Sequence, residues 1–560
     1  MERSVRHRAG NASGYRTVPA SSGSGTIADV LTRKRYLPGA TVLLVAVLAA
    51  CSGPASESPD PTAPAGPVPE GLETYYSQQL DWGECAPYAT SAYTQQAFST
   101  VPEGVECARM TVPLDYSEPD GETVSLGLLR QPADDGGGEP LGSAVINPGG
   151  PGGSGMSRAA YMAQGEWDGR LAERFDLVGF DPRGVQASEP AVDCFTDREI
   201  DADRNDVDEY DGSPEAVAEA EREAREYGRQ CAERTEHGEE MLANLGTRDV
   251  ARDLDVLRSV LGDEKLTYIG WSYGTRIGYT YAERFPGNVR ALVLDGAVDP
   301  EQDAMESLVA QYEGFGDTFD QFARWCTGRE DCALGNDPAG AVGAYQDLTR
   351  PLLDRPVELP DGRVLSYEDA TTGTIAALYD DQSWPMLNRG LTELAQGQGA
   401  TLMMLADNYL QRGPNGRYSN MHEALTAVNC VDEPPVTDPE RNAEMQRQAL
   451  DAAEFLDPGL PPSSARGPCA FWPVDHTSKP RLPDVDGIPP PLVISSTGDP
   501  ATPYEAGVNL AEALGGRLLT FEGARHGAFL AAGNDCIDEA GAEYLISGTL
   551  PPEGTRCGTA

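Results

Sequence analysis

The hexapeptide GWSYGT, Gly270–Thr275, places the strongest constraint on what this chain can fold into. The apolar run KLTYI before it predicts a short buried strand, and RIGYTYAERFP after it predicts a helix that stops at Pro286. A strand, a sharp turn carrying Ser and a helix form the context of a nucleophile elbow. Glycines at positions 270 and 274 allow the strand and the helix to cross closely at this turn. We therefore interpret Ser272 as a candidate nucleophile, against the alternative of a polar residue in a glycine-rich turn.

Strand and helix patterns alternate from about Thr111 onward. Four further stretches predict early strands, the first two as an antiparallel pair: ARMTVPLDY, TVSLGLLRQ, GSAVIN and RFDLVGF. Residues 214–260 are strongly helical, and NVRALVLDG predicts the strand that follows the elbow helix. This rhythm predicts an α/β fold with a mostly parallel sheet covered on both faces.

The rhythm breaks between Glu301 and Gly487, where the pattern is chiefly helical. Strands then return in PPLVISSTG and GRLLTFEG. We expect five segments: a signal peptide with an N-terminal extension (1–50), a flexible linker (51–75), the first part of an α/β core (76–300), an inserted helical domain (301–487) and the C-terminal part of the core (488–560).

Two later strand ends supply partners for the serine. Asp499 directly follows the strand PLVISSTG, and His526 lies in the loop GARHGAF after the last predicted strand. With a nucleophile elbow the orienting acid is expected between Ser and His in chain order, as in Ser272, Asp499, His526, with His as base and Asp fixing its tautomer. Asp499 also suits a simple turn, and Thr502 is equally a structural hydroxyl or a support for the acid. Other histidines fit a triad less well: His237, His422 and His476.

A glycine-rich loop, NPGGPGGSG at Asn147–Gly155, follows an early strand. Backbone N–H groups in such a loop can approach a developing negative charge, and each contributes about 3–4 kcal/mol to lowering the barrier. We expect the N–H groups of Gly150 and Tyr273 to form an oxyanion hole. A phosphate-binding loop is the rival interpretation, but the G-K-[ST] ending is missing.

The N-terminus predicts export. TRKRY precedes the apolar run LPGATVLLVAVLAA, which ends in LAAC at Cys51. Small residues before Cys resemble a bacterial lipobox, in which Cys51 is lipidated, and the Ser/Pro-rich tether that follows favours this over a plain signal peptide. We therefore expect the protein at the outer face of the cell membrane, held by a lipid anchor.

Ten cysteines remain once Cys51 is set aside, an even number that suits disulfides in an oxidising compartment. Neighbours along the chain suggest the pairs Cys85–Cys107, Cys194–Cys231, Cys326–Cys332, Cys430–Cys469 and Cys536–Cys557, although sequence alone does not fix connectivity. No C-x-x-C occurs, so we expect no metal site, and nothing in the sequence calls for a cofactor.

Acidic residues outnumber basic ones by 89 to 42, which gives a formal net charge of −47. Such a surface repels nucleic acid and anionic lipid headgroups. Nucleic-acid binding is therefore excluded, and membrane contact is expected through the lipid only.

Several stretches together resemble the tripeptidyl-aminopeptidase-like branch of the α/β-hydrolase serine peptidases, relatives of prolyl aminopeptidase. They are VPLDY, NPGGPGGSG, FDLVGFDPRG, GWSYGT, VLDGAVDP, STGDPATP and RHGAF, across residues 105–530. The resemblance implies an eight-stranded α/β-hydrolase sheet, a helical cap over the active site, and cleavage of short peptides from a free N-terminus. Two departures are Pro148 for the family's His and Val185–Ser188 for its G-x-S turn.

Function is then predicted as a lipid-anchored serine aminopeptidase that releases di- or tripeptides. Asp432 and Glu433, after Cys430, are the best candidates for partners of the substrate ammonium, and the alternative is that they are surface acids in an acidic chain. An esterase or lipase on the same fold is one alternative, and a non-catalytic peptide-binding lipoprotein is another.

Overall fold

A computed structural model describes residues 64–134, 138, 140–167, 169–205 and 213–558. The predicted signal segment, Cys51 and the first part of the predicted linker lie outside the described residues. The end of that linker is packed, because Leu72 is buried and Tyr76 is buried with its hydroxyl donating to Asp255 Oδ2 at 2.8 Å. Leu72, which lies inside the predicted linker, therefore belongs to the core on one face of the sheet.

Eleven strands are present in the described residues, nine of them in one sheet. The strands are β1 (Glu106–Pro113), β2 (Thr123–Gln131), β3 (Ser143–Asn147), β4 (Asp176–Phe180), β5 (Leu266–Trp271), β6 (Val289–Asp295), β7 (Val357–Glu358), β8 (Val364–Leu365), β9 (Leu492–Ser496), β10 (Arg517–Glu522) and β11 (Arg556–Gly558).

The large sheet has the order β1-β2-β4-β3-β5-β6-β9-β10-β11. β2 pairs antiparallel with both β1 and β4, and all later pairings are parallel. The α/β-hydrolase fold predicted from the sequence is confirmed. The strand number of eight is one too low, because the three-residue β11 is added at the edge next to β10, where the Cys536–Cys557 disulfide holds it.

Helices fill the connections. They are α1 (Glu73–Tyr76), α2 (Ala92–Ser99), α3 (Gly155–Met162), α4 (Gly169–Ala172), α5 (Asp197–Asp203), α6 (Pro214–Arg234), α7 (Gly238–Ala243), α8 (Thr247–Val260), α9 (Tyr273–Arg284), α10 (Ala304–Thr327), α11 (Ala341–Thr349), α12 (Tyr367–Leu378), α13 (Trp384–Leu394), α14 (Ala400–Tyr409), α15 (Met421–Asp432), α16 (Pro439–Ala452), α17 (Tyr504–Ala513) and α18 (Asp535–Ser547). Within the described ranges, none combines the length and the apolar character that a bilayer crossing needs.

Apolar side chains of the sheet supply two cores, one on each face. Successive residues of a strand point to opposite faces, so Tyr268 of β5 joins a core with Leu254 of α8, whereas Ile269 joins a second core with Ala159 of α3. Burial on both faces explains why the central strands are apolar throughout.

The segment 301–487 contains α10 to α16 and the small antiparallel hairpin β7–β8. It has its own core, in which Phe319 stacks on Phe455 with ring centroids 4.3 Å apart. The chain returns from this segment to the sheet at β9, as the sequence predicts. The described residues belong to a single compact unit, in which the inserted helices pack with the sheet.

Five disulfides join the ten cysteines in the neighbouring pairs that the sequence suggests, with S–S distances from 1.92 to 2.09 Å. Two of them lie within the inserted segment, Cys326–Cys332 and Cys430–Cys469. Two others join a cysteine of the large sheet, Cys107 in β1 and Cys557 in β11, to a residue outside it.

Candidate functional site

Ser272 lies at the turn between β5 and α9, in a backbone conformation that L-residues rarely adopt. Its φ is 55° and its ψ is −127°, which costs of order 1–3 kcal/mol for a side chain other than Gly. The surrounding turn enforces this conformation, because the Ser272 N–H donates to Asp295 O at 2.9 Å and its carbonyl accepts from Thr275 N–H at 2.8 Å. This is the geometry of the predicted elbow.

The glycines of the elbow are required by close backbone approach. A Cβ at Gly270 would lie 2.4 Å from Gly274 O, and a Cβ at Gly274 would lie 2.6 Å from Asn147 O. Both distances are far below van der Waals contact, so neither position accepts a side chain. The G-x-S-x-G spacing therefore reflects the crossing of β5, α9 and the end of β3.

Asp499 and His526 meet at the same edge of the sheet, after β9 and β10. The His526 Nδ1 lies 2.9 Å from Asp499 Oδ1 and 3.0 Å from Oδ2. Asp499 Oδ1 also accepts the N–H groups of Ala501 and Thr502, and Oδ2 accepts the Thr502 hydroxyl at 3.0 Å. The carboxylate is thus fixed by its own loop, and a proton on Nδ1 would leave Nε2 of His526 as the basic nitrogen.

The charge around His526 favours the imidazolium. Burial is the largest single effect and lowers its pKa, but the charge and hydrogen bond of Asp499, with a further contribution from Asp295, raise the pKa above its usual value. Tyr379, from the end of α12, packs edge-on against the imidazole at 5.5 Å and accepts the His526 backbone N–H at its carbonyl. The inserted segment therefore contacts the candidate base directly.

The serine and histidine loops are joined by Trp271, the residue before Ser272. Its Nε1–H donates to Phe529 O at 3.2 Å, three residues beyond His526. A Cβ at Gly527 would lie 3.2 Å from the Trp271 ring. The predicted members Ser272, Asp499 and His526 thus lie on three adjoining loops at the carboxyl ends of β5, β9 and β10.

The glycine-rich loop after β3 lies against the elbow. A Cβ at Gly149 would lie 2.7 Å from Ser272 Cβ, and both Gly149 and Gly150 have positive φ, at 97° and 109°. The Gly149 N–H donates to Asn147 Oδ1 at 2.9 Å. In the part of the chain that the structure describes, the N–H groups of Gly150 and Tyr273 have no protein acceptor. They remain the candidate oxyanion donors.

Asp181 holds the end of the glycine-rich loop through hydrogen bonds. No sequence motif indicates this role. Its buried carboxylate accepts the Ser154 hydroxyl at 2.6 Å and the N–H groups of Met156 and Ala187. Burial raises its pKa to about 6. The nearby turn Val185–Ser188 differs from the family's G-x-S pattern in sequence. Within it, Gln186 has a positive φ of 42°.

A cavity of about 460 Å³ opens beside the glycine-rich loop and is a suitable place for substrate. Besides Gly149 and Gly150 it is lined by Arg158 and Glu166, which form an ion pair of 2.6 Å, and by Tyr161. The Arg158 guanidinium lies 5.2 Å from the centre of the Trp271 ring. The cavity is therefore lined both by Gly150, one of the two candidate oxyanion donors, and by the acidic side chain of Glu166.

Asp432 and Glu433 have a different environment from the predicted one. Asp432 is buried and accepts the Thr247 N–H at 2.9 Å together with the Thr247 hydroxyl, and Arg276 lies 3.8 Å from its Oδ2. Arg276 also forms an ion pair with Glu433. One guanidinium therefore faces two carboxylates, and the binding of the substrate ammonium by Asp432 and Glu433 stays a prediction.

Asp295 is the further residue at this edge that sequence reasoning missed. It ends β6 in full burial, accepts the Ala528 and Phe529 N–H groups through Oδ2 at 2.7 Å each, and influences His526. The signal was present, because VLDG places Asp at the end of a buried parallel strand just as STGD does for Asp499.

Comparison with known proteins agrees with this architecture. Residues 145–532 match the family described as alpha/beta hydrolase fold. The chain is 47% identical over 493 residues to serine protease Hip1 of Mycobacterium tuberculosis, covering 87% of this chain and 92% of that protein. It is 42% identical over 453 residues to carboxylesterase B of the same species, covering 80% and 86%.

A third relative, tripeptidyl aminopeptidase of Streptomyces lividans, is 31% identical over 488 residues and covers 85% of this chain and 86% of its own length. The family match runs from within β3 to beyond His526 and includes the inserted helices. The chain belongs to the α/β-hydrolase family, as a serine hydrolase of its tripeptidyl-aminopeptidase-like peptidase branch.

Proposed function

We propose that this protein is an exported serine aminopeptidase that releases di- or tripeptides from free N-termini through an acyl-enzyme. The observation that carries the proposal is the Nδ1–carboxylate bond between His526 and Asp499, at the sheet edge where Ser272 is held in a strained elbow. A nucleophile, a base and an orienting acid with this order and placement suit covalent acyl transfer.

In the first step, His526 Nε2 removes the hydroxyl proton as Ser272 Oγ attacks the scissile carbonyl. The carbonyl oxygen becomes an oxyanion, which the N–H groups of Gly150 and Tyr273 stabilise. The imidazolium then gives its proton to the leaving amine as the C–N bond breaks. The shorter N-terminal fragment stays on Ser272 as an ester, and the remaining peptide departs with a new amino group.

In the second step, water replaces the leaving amine. His526 removes a proton from water as its oxygen attacks the ester carbonyl, and the same oxyanion donors act again. Collapse breaks the bond to Ser272 Oγ, which recovers its proton from the imidazolium. Asp499 keeps the Nδ1 proton in place throughout and stabilises the positive ring.

The substrate ammonium, two or three residues from the scissile carbonyl, needs a carboxylate partner, and Glu166 is a candidate beside the predicted Asp432 and Glu433. It lines the cavity beside Gly150, and its side chain is 43% exposed. Arg158 engages Glu166 Oε2, while Oε1 has no protein partner among the described residues. A charge-assisted hydrogen bond to Oε1 would then favour substrates with a free amino end.

Ester hydrolysis is the second candidate function, because a relative that is 42% identical is named carboxylesterase B. The same nucleophile serves both reactions, so substrate preference must be measured. Tripeptide anilides with free and with acetylated N-termini should be compared with short-chain acyl esters. We expect the free-amine anilides to be cleaved and the acetylated ones to be nearly inert; equal cleavage of both would favour an esterase or an endopeptidase.

Export and lipid attachment complete the proposal. Five disulfides are typical of an oxidising compartment outside the cytoplasm. We expect mature protein to begin at a lipidated Cys51 and to partition into detergent, and Cys51→Ala to abolish that partition. Several free thiols in the purified ectodomain would contradict export.

A further inference from the structure

Asp295 connects the candidate nucleophile to the loop that carries the candidate base. Its backbone oxygen accepts the Ser272 N–H at 2.9 Å. Its carboxylate oxygen Oδ2 accepts the N–H groups of Ala528 and Phe529, two and three residues after His526, at 2.7 Å each. One residue at the end of β6 therefore fixes the elbow on one side and the histidine loop on the other.

The second carboxylate oxygen of Asp295 takes no part in these hydrogen bonds. Oδ1 is buried and has no hydrogen-bond partner among the described residues. Burying an acid with a half-satisfied carboxylate is costly, and burial, followed by repulsion from Asp499, raises the pKa of Asp295 to about 6. A structural acceptor for two N–H groups does not require a charge at this position.

We propose that Asp295 is a second positioning carboxylate for His526, which holds the Gly527–Phe529 turn and adds negative charge that stabilises the imidazolium formed as Ser272 is deprotonated. The inference rests on the proposed function, in which that imidazolium arises twice in each turnover. Asp499 remains the direct partner, and Asp295 acts through the low-dielectric interior between the two loops.

Apart from Asp499 and Asp295, the groups near His526 do not supply negative charge to its imidazole. Tyr379 presents its ring edge, and Thr502 places its hydroxyl 3.1 Å from Nδ1, so neither brings a charge to the imidazole. Arg525, the preceding residue, is paired with Asp380 at 3.2 Å. The charges that raise the pKa of His526 are those of Asp499 and Asp295.

The substitution Asp295→Asn separates charge from positioning. One oxygen accepts both N–H groups, so the amide carbonyl of Asn can keep both bonds while the charge is removed. Loss of a nearby negative charge lowers the His526 pKa, and we expect the acid limb of kcat/KM against pH to move down by about 0.5–1 pH unit. Plateau kcat should fall about tenfold, because the imidazolium is less stabilised.

Asp263→Asn is the matched control. Asp263 is a half-buried acid whose pKa desolvation also raises to about 6, and it accepts the Ser143 N–H at 3.0 Å, but it lies at the amino-terminal edge of β3. We expect its substitution to leave the acid limb in place. If Asp295→Asn likewise left the acid limb unmoved and only lowered the melting temperature, Asp295 would be a structural residue and the inference would fail.

A titration without turnover keeps this test separate from the proposed function. NMR of the imidazole in a Ser272→Ala background reports the His526 pKa directly, with His526→Ala used to assign the signal. We expect Asp295→Asn to lower that pKa and Asp263→Asn not to. Absence of peptide or ester hydrolysis in the unmodified protein would overturn the proposed function, whereas an unshifted imidazole in Asp295→Asn would overturn the role of Asp295.

Discussion

The edge of the sheet and the inserted segment both contain buried carboxylates, but the two regions hold them by different means. Asp499 is fixed by the N–H groups of Ala501 and Thr502, within its own loop. Asp432 instead accepts from Thr247, 185 residues away in the chain, and lies beside Arg276 of α9. The strand end supplies its own donors, whereas the helix end of α15 depends on partners brought by tertiary packing.

The two carboxylates therefore face different partners, an imidazole for Asp499 and a guanidinium for Asp432. Local N–H groups hold the carboxylate of Asp499 without a cation. The same carboxylate also contacts His526 Nδ1. Asp432 and Glu433 share the guanidinium of Arg276, which joins the inserted segment to the elbow helix. Substitution of Asp499 should therefore lower kcat, whereas substitution of Asp432 should mainly lower the melting temperature.

The largest effect is expected at the sheet edge itself. Ser272→Ala removes the only atom that forms the acyl-enzyme, so kcat should fall by roughly 10⁶-fold while the melting temperature stays close to that of the unmodified protein. Turnover of the preferred anilide and labelling by a fluorophosphonate both report the loss. Activity above a few per cent of the original would disprove the elbow interpretation.

Asp499→Asn should come next, with a loss of about 10⁴-fold in kcat, because the amide no longer holds the Nδ1–H tautomer. Fluorophosphonate labelling should slow in parallel, since both reactions need the same base. Asp432→Asn is the control from the inserted segment, and we expect it to change kcat far less. Similar losses in the two variants would remove the distinction between the regions.

A smaller effect is expected at the substrate's amino end. Glu166→Gln should raise KM for free-amine anilides by about 10- to 100-fold, the worth of a hydrogen bond to a charged group, and should leave short acyl esters unaffected. Asp432→Asn should lower the melting temperature without changing the preference for free over acetylated substrates. If Asp432→Asn raised KM for free-amine anilides and Glu166→Gln did not, the ammonium would bind at the end of α15 instead.

The same contrast explains what the sequence could predict. Ser272, Asp499 and His526 follow apolar strands, and the carboxyl ends of parallel strands meet at one edge, so their proximity follows from pattern alone. The short β11 escapes prediction, because three residues held by a disulfide carry no periodic signal. The partner of Asp432 also escapes, because nothing in CVDEPP indicates that Arg276 of another helix will approach it.

The smallest expected effect separates two disulfides within the inserted segment. Cys430–Cys469 spans 39 residues and Cys326–Cys332 spans 6. Chain entropy in the unfolded state predicts that replacing both cysteines of the longer bridge by Ser costs about 4 kcal/mol, against about 2 kcal/mol for the shorter. Urea unfolding of the two double variants measures the difference.

The longer bridge has a second consequence, because Cys430 lies in α15, whose first residue, Met421, places its carbonyl against Gly152 of the glycine-rich loop. Loss of Cys430–Cys469 should therefore raise KM for peptides as well as lower stability, while loss of Cys326–Cys332 should lower stability alone. Peptide kinetics well below both melting temperatures distinguish the two. Equal KM values would mean that the position of α15 over the loop does not depend on its disulfide.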